Sequence, residues 1–231
     1  MEQDKFPVIE DKRFAEVHYL NEWITPWNAS IRQQTKALTE YLSTKAEKAL
    51  AVYDFVTRMI EYPMFLGSPI DTHFRIDWLQ KIQYNLMDLW YFPAETLADL
   101  IGDCEDVSFL CTSMLRVFVE DTQVYAVLGV VEAENPDTEE WEQLGGHAWT
   151  EILVNGTWSL FENTFDEPTV LDRDKAYNGD YKLSDGRRFR YVPDCRVNDN
   201  RYEQVDDHGL FGSRYWTAKK LKLKIKKCFK Q

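Results

Sequence analysis

Three residue types that together perform nucleophilic catalysis follow one another along this chain. Cys104 lies in Gly-Asp-Cys-Glu-Asp, His147 follows 43 residues later in Gly-His-Ala-Trp, and Glu162 follows 15 residues after that. A cysteine sulfur can attack a carbonyl carbon, an imidazole can take the thiol proton, and a carboxylate can fix the imidazole tautomer. The set indicates a nucleophile with its base and an orienting acid.

Cys104 is predicted to begin a helix. The apolar residues that follow recur at helical spacing and define one buried face: Val107, Leu110, Cys111, Met114, Leu115 and Phe118. Asp103, directly before the cysteine, is a favourable N-cap residue. The helix macrodipole then stabilises a thiolate, so we expect a lowered pKa for Cys104, which the neighbouring carboxylates oppose. The alternative is a buried, inert cysteine, which is the role we predict for Cys111.

His147 and Glu162 are predicted to lie on the two strands of one β-hairpin. Asn155-Gly156 is a strong signal for a two-residue hairpin turn between β-branched and aromatic runs. A two-residue turn pairs Val154 with Thr157 and makes His147 and Glu162 diagonal neighbours on one face. A one-residue slip would place them on opposite faces. Taken singly, each could instead be an ordinary strand histidine or a solvated carboxylate.

These segments resemble the transglutaminase-like, papain-related cysteine enzymes over roughly residues 50–166. GDCEDVSFLCTSMLR resembles the nucleophile helix of the family, GGHAWTEILVNGTW its histidine strand, and WSLFENTFD the strand of the third residue. DLWYFPAETLADLIGDCED is similar to bacterial transglutaminase-like cysteine proteinases. The resemblance implies an α+β fold in which the nucleophile helix packs on an antiparallel sheet. It also implies Cys104 as nucleophile, His147 as base and Glu162 as acid.

The resemblance also brings two expectations about the surroundings of the nucleophile. Some relatives bind calcium there, and Asp103 and Glu105 match the acidic positions; we expect no other cofactor. The backbone N–H of Cys104 and an upstream side chain, Gln83 or Trp78, are the candidate oxyanion donors.

The implied reaction is hydrolysis of a peptide, isopeptide or carboxamide bond in a peptide or protein substrate, through a thioester acyl-enzyme. The family usually has aspartate where this chain has Glu162. Two alternatives therefore stay open. The first is an acyltransferase that cross-links with an amine in place of water. The second is a transglutaminase-like protein that binds without catalysis.

The composition is that of one globular domain. The chain has 231 residues, of which 44% are hydrophobic, and it contains no low-complexity linker. We expect residues 1–49 to be a helical N-terminal elaboration, 50–166 the catalytic core, and 167–231 a C-terminal elaboration. Helices are predicted from Asn28 to about Tyr41, from Thr44 to about Tyr62, and from Pro93.

Location and partners follow from what the sequence lacks. It has no apolar run long enough to span a membrane and no secretory signal, and its four cysteines show no CxxC pair. We therefore expect a cytoplasmic protein. The basic tail Lys219–Lys230 suggests an edge strand or a nucleic-acid or membrane contact, but the net charge of −12 argues against nucleic acid.

Two segments outside the triad have competing interpretations. After a strand at Gln123–Val131, the acidic stretch Glu132–Gly146 is predicted to be a loop, either a lid over the site or a solvated turn. His208 could be a metal ligand in a loop, or an ordinary surface histidine. Short strands are expected at Arg187–Val192 and Cys195–Val197, with no chemistry assigned to them.

Overall fold

The computed structural model describes residues 6–11, 16–62, 90–164 and 169–205. The predictions for Trp78, Gln83, His208 and the tail Lys219–Lys230 lie outside these residues. None of the described helices is both long and apolar enough to cross a membrane.

The described residues begin with a small sheet rather than a helix. Strand β1, Val8–Asp11, pairs antiparallel with β2, Glu16–Tyr19, and a 3₁₀ turn, Leu20–Trp23, follows. The prediction that residues 1–49 are helical was wrong for this part, because Val8, Ile9 and Val17 favour extended backbone and the two strands supply each other's hydrogen bonds. Trp23 is fully buried at the end of this unit.

Two N-terminal helices begin where the capping residues predict. Helix α1 spans Ala29–Thr39, and the Asn28 side chain accepts hydrogen bonds from its first turn. Helix α2 spans Lys45–Met59 behind the capping box formed by Thr44 and Glu47. Both starts are confirmed. Each helix ends two or three residues earlier than predicted, and Ile60 after α2 is already extended.

Two more of the described helices follow before the large sheet, and another lies between two of its strands. Helix α3 spans Pro93–Asp99, as its N-terminal proline predicts, and α4 spans Cys104–Arg116. Helix α5, Arg173–Asn178, connects two strands. The strands are β3 Val124–Glu134, β4 Trp141–Val154, β5 Thr157–Glu162, β6 Thr169–Asp172, β7 Tyr181–Lys182, β8 Arg188–Val197 and β9 Tyr202–Gln204.

The described strands β3–β9 form one antiparallel sheet. Its order is β6-β5-β4-β3-β8-β7, with β9 also paired to β8. Helices α1, α2 and α4 share an apolar cluster with Ile152 and Phe161 on one face of the sheet. Trp149 and Tyr191 belong to a cluster on the other face, under α5. The α+β architecture with the cysteine helix on an antiparallel sheet agrees with the prediction.

The acidic stretch is mainly strand, so the prediction of a loop over Glu132–Gly146 was wrong. Strand β3 continues to Glu134, and β4 resumes at Trp141. The two carboxylates that β3 carries in this stretch, Glu132 and Glu134, each lie beside an arginine of β8. Arg190 Nε lies 2.8 Å from Glu132 Oε2, and Arg188 Nε lies 2.6 Å from Glu134 Oε2. Cross-strand pairs of opposite charge stabilise a sheet.

Candidate active site

Cys104 is the first residue of α4, as predicted. The helix start is fixed by the buried carboxylate of Asp106, which accepts hydrogen bonds from the Asp103 N–H at 3.3 Å and the Tyr91 N–H at 2.7 Å. Gly102 is required just upstream, because a Cβ there would lie 2.8 Å from the Asp106 Cβ. The sulfur is thus held at a helix N-terminus whose first-turn N–H groups have no intrahelical acceptor.

The β4–β5 hairpin has the predicted register. Asn155 and Gly156 both have positive φ, 52° and 81°, as a type I′ turn requires. Val154 pairs with Thr157 and the pairing continues to Thr150 and Phe161. His147 and Glu162 consequently meet, with 2.9 Å between His147 Nε2 and Glu162 Oε2.

Glu162 is fully buried, and both of its oxygens are occupied. Oε1 accepts the backbone N–H and the hydroxyl of Thr164, at 3.0 and 2.6 Å. Oε2 receives the Tyr191 hydroxyl at 2.5 Å in addition to His147. Burial alone would raise the pKa of Glu162, but the charge and hydrogen bond of His147, with Thr164 and Tyr191, lower it to about 2.

Sequence reasoning missed Tyr191, Thr164 and Tyr53 as members of this site. Tyr53, from α2, donates its hydroxyl to the carbonyl oxygens of Glu162 and Thr169, at 2.7 and 2.8 Å, and so joins the ends of β5 and β6. Tyr191 comes from β8, in a region to which no chemistry was assigned. These contacts depend on tertiary packing, and no local spacing signals them.

The sulfur of Cys104 reaches the edge of β4 next to His147. Leu153 donates its N–H to Gln123 on the β3 side of the strand, at 2.7 Å. The N–H groups of alternate residues in a strand point to opposite edges, so the N–H of Ala148 points to the edge of β4 that pairs with β5. Ala148 lies beyond Thr150, the last residue of β4 that is paired with β5. That N–H donates a hydrogen bond to the Cys104 sulfur. The thiol is thereby placed beside the residue that follows His147.

The thiol of Cys104 is buried and protonated. Only 8% of the residue is exposed, and Sγ donates to Glu105 Oε2 at 2.8 Å. Burial raises the pKa of Cys104 well above its ordinary value, and the charges of Glu105 and Asp103 raise it further. The expectation of a lowered thiol pKa was wrong, because burial and two carboxylates outweigh the helix macrodipole. Cys111 is fully buried in the core, as predicted.

The imidazole of His147 is fixed by a hydrogen bond at one of its two nitrogens. Its side chain is 15% exposed, and its Nε2 is occupied by Glu162, which leaves Nδ1 for a second partner. Burial lowers the pKa of His147, but the charge and hydrogen bond of Glu162, followed by the charge of Glu105, raise it overall. A ring held in this way can take a proton at Nδ1 while Glu162 stabilises its cation.

The calcium site expected at Asp103 and Glu105 has few described ligands. Within residues 6–11, 16–62, 90–164 and 169–205, no group of three or more His, Cys, Asp or Glu side chains is placed to hold a metal. Glu105 is already hydrogen-bonded to the sulfur, and calcium takes six to eight oxygen ligands. The expected calcium site at Asp103 and Glu105 stays a prediction, and no step below uses the ion.

Comparison with known proteins gives only distant similarities. No protein-family model matches the chain, and no curated protein matches it. Among solved structures, a proposed cysteine protease of Cytophaga hutchinsonii is 13% identical with a TM-score of 0.38, over 77% of this chain and 51% of that one. The chain therefore spans about half the length of that protein.

Two structures of LapG from Legionella pneumophila are also similar. The EGTA-treated form is 13% identical with a TM-score of 0.35, over 82% of this chain and 90% of LapG. The calcium-bound form is 12% identical with a TM-score of 0.34, over 79% and 88%. All of these TM-scores are below 0.5.

Proposed function

We propose that this protein is a cysteine-dependent hydrolase that cleaves a peptide, isopeptide or carboxamide bond. The observation that supports this most strongly is the hydrogen bond between His147 and the buried Glu162, next to Ala148, whose N–H donates to the sulfur of Cys104. Burying a carboxylate costs free energy even when four hydrogen bonds hold it, as they hold Glu162. This carboxylate fixes one nitrogen of the imidazole, and the other nitrogen can accept the proton of the thiol.

The start of the reaction depends on the protonation states of Cys104 and His147. The thiol is protonated on Glu105 and the pKa of His147 is raised, so below that pKa the Cys104–His147 pair carries one proton more than catalysis requires. After that proton leaves to solvent, His147 Nδ1 takes the remaining thiol proton. Because the two groups are coupled, the loss belongs to the pair rather than to either residue.

The thiolate then attacks the carbonyl carbon, and the carbonyl electrons move onto oxygen as the C–S bond forms. When this intermediate collapses, the C–N bond breaks and the leaving amine takes the proton from His147. A thioester on Cys104 results. Water attacks the thioester with His147 as base, which releases the acid and returns the proton to the sulfur.

Glu162 replaces the aspartate that is usual in the family without leaving its carboxylate unpartnered. Its longer side chain spans the diagonal from β5 to His147 on β4, at 2.9 Å. Thr164 and Tyr191 hold the carboxylate from the other sides. The glutamate is therefore suited to fix the imidazole ring and to stabilise the cation that forms during the reaction.

We expect a peptide substrate to lie along the strand before His147. Positions for a Cβ on Gly145 and Gly146 have no atom of the described residues within 4 Å. Gly146 lies two residues from Ala148, so its N–H and C=O point to the same edge of β4 as the sulfur. An extended peptide at this edge would bring its carbonyl to Cys104.

A protein that binds without catalysis is the second candidate, and the state of the thiol favours it. A cysteine that is 8% exposed and has a raised pKa is a poor nucleophile until its proton leaves. An acyltransferase would use the same residues, with an amine attacking the thioester in place of water.

Acylation by p-nitrophenyl acetate, followed by mass spectrometry of the intact protein, tests the proposal. We expect one acetyl group on Cys104, its slow loss in water, and a decrease in the acetylation rate of about 100-fold or more in His147→Ala. Cys111→Ala is the matched control and should acetylate normally, because this buried cysteine lies in the core. A wild-type protein that is not acetylated at Cys104 would refute the hydrolase and leave the binding protein. Preferential transfer of the acetyl group to added glycinamide would identify an acyltransferase.

A further inference from the structure

Tyr191 reaches the His147–Glu162 pair from across strand β3. On one side of β3, Gly129 pairs with His147 of β4, and on the other side Val131 pairs with Tyr191 of β8. Directly paired residues share a face of the sheet, and so do residues two apart along a strand. The rings of His147 and Tyr191 therefore project from the same face, with their centroids 6.1 Å apart.

The side chain of Tyr191 is buried and its direction is fixed. The residue is 2% exposed, and its ring centroid lies 5.1 Å from that of Trp149 and 5.8 Å from that of Phe189, both in edge-to-face contact. Trp149 is itself held by a hydrogen bond of 3.1 Å from its Nε1 to the buried Glu151. Burial, followed by the charge of Glu162, raises the pKa of Tyr191 well above its ordinary value. The phenol thus stays protonated and donates.

Tyr191 and His147 share one oxygen of Glu162. Oε2 lies 2.5 Å from the Tyr191 hydroxyl and 2.9 Å from His147 Nε2. Each donor draws electron density from this oxygen, so the bond from the hydroxyl weakens the bond that the oxygen can form with the imidazole. Because hydrogen bonds from a charged donor are the stronger ones, an imidazolium loses more by this competition than a neutral imidazole does. The Tyr191 hydroxyl therefore disfavours the cation of His147.

We propose that Tyr191 is a positioning residue that promotes the loss of the extra proton from His147, because it donates to the same oxygen of Glu162. This rests on the proposed hydrolase function, in which that proton leaves before the thiol gives up its own. The charges of Glu162 and Glu105 hold the proton on the imidazole. Tyr191 opposes this effect through Glu162 and requires no contact with the substrate.

The remaining groups near the two rings do not alter this balance. The charged or titratable side chains that the structure describes around His147 and Tyr191 are Cys104 and Glu105 of α4, Tyr53 of α2, Glu151 of β4 and Glu162 of β5. The thiol and the Tyr53 phenol are neutral, because burial raises the pKa of each. The carboxylate of Glu151 is paired with Arg196 at 3.0 Å and with Arg173 at 3.9 Å. Glu162 and Glu105 are left as the charges that act on the imidazole.

The test follows the imidazole itself by NMR across a pH series. The chain has four histidines, and His147→Ala identifies the Cε1–H signal of His147. In Tyr191→Phe we expect the pH midpoint of this signal to rise by about 0.5 to 1 unit, because Glu162 loses a competing hydrogen bond. Replacing Tyr191 by 3-fluorotyrosine, whose more acidic hydroxyl donates more strongly, should lower the midpoint.

Tyr181→Phe is the matched control. Tyr181 packs against the same apolar cluster as Tyr191, but its hydroxyl accepts a hydrogen bond from the Asp172 N–H at 2.9 Å. Its loss should leave the midpoint of His147 unchanged. A purely structural role of Tyr191 would lower stability without moving the midpoint in opposite directions in the two Tyr191 variants.

The outcomes separate the role of Tyr191 from the proposed function. An unchanged or lowered midpoint in Tyr191→Phe would overturn this role, and so would an unchanged or raised midpoint with 3-fluorotyrosine. The fluorinated residue keeps both the ring and the hydroxyl, so it provides the test if the phenylalanine variant does not fold. Absence of acetylation at Cys104 would refute the hydrolase whatever the midpoints are, whereas the wrong midpoints would refute only the role of Tyr191.

Discussion

Replacing Glu105 by glutamine should make Cys104 react at lower pH. Glu105 Oε2 lies 2.8 Å from Sγ, and its charge raises the pKa of both Cys104 and His147. Glutamine keeps the shape and an acceptor oxygen for the thiol but removes the charge. The charge of Glu105 favours the fully protonated pair, so its removal lets the first proton leave at lower pH.

The size of the shift follows from the geometry. Two unit charges about 4 Å apart interact by about 4 kcal/mol at an effective dielectric constant of about 20. Since one pKa unit corresponds to about 1.4 kcal/mol, the bare interaction is worth about 3 units. Glu105 is half-buried, and water screens part of its field. We therefore expect the pH of half-maximal reactivity to fall by about 1 to 2 units.

The assay is the rate of iodoacetamide alkylation at Cys104, followed by mass spectrometry across a pH series for wild type and Glu105→Gln. Glu40→Gln removes an equal charge from an exposed position after α1 and should leave the profile unchanged. An unchanged or upward-shifted profile in Glu105→Gln would show that burial alone holds the proton. The electrostatic reasoning about this site would then be refuted.

Two further predictions concern stability. The pKa of Glu162 is about 2 in the folded protein against an ordinary 4.5, so its ionised form stabilises the fold above about pH 4.5, and this contribution is lost as the pH falls through about 2. Glu162→Gln should therefore lower the free energy of unfolding in guanidinium by about 3 kcal/mol at about pH 6 and by much less at about pH 2; equal losses would contradict the pKa. Gly129→Ala should lower the melting temperature, because the new Cβ would lie 2.2 Å from the Val192 carbonyl oxygen, at an overpacking cost of about 1–3 kcal/mol. Gly145→Ala, with no described atom within 4 Å, should melt like wild type, and equal melting of both variants would count against the close contact.

Features encoded by neighbouring residues could be predicted from the sequence. The start of α4 at Cys104 follows from a capping residue and a periodic apolar stripe, and the hairpin follows from Asn155-Gly156. The turn alone fixed the register, and the register was enough to bring His147 to Glu162.

Features that depend on the meeting of distant segments could not be predicted. The hydroxyl of Tyr191 reaches Glu162 from β8, and nothing near Tyr191 in the sequence signals this contact. The direction of the Cys104 pKa was wrong for the same reason. The macrodipole is a local property that the sequence reveals, whereas burial and the orientation of the Glu105 side chain are set by packing.

The resting state of Cys104 also bears on damage by oxidants. Hydrogen peroxide oxidises a thiolate to a sulfenic acid, and a protonated thiol reacts far more slowly. In this protein the proton is held by Glu105 and the sulfur is almost covered. Cys104 should therefore resist peroxide at neutral pH better than an exposed cysteine does. Under the proposed function, the carboxylate that delays the reaction would also protect the nucleophile.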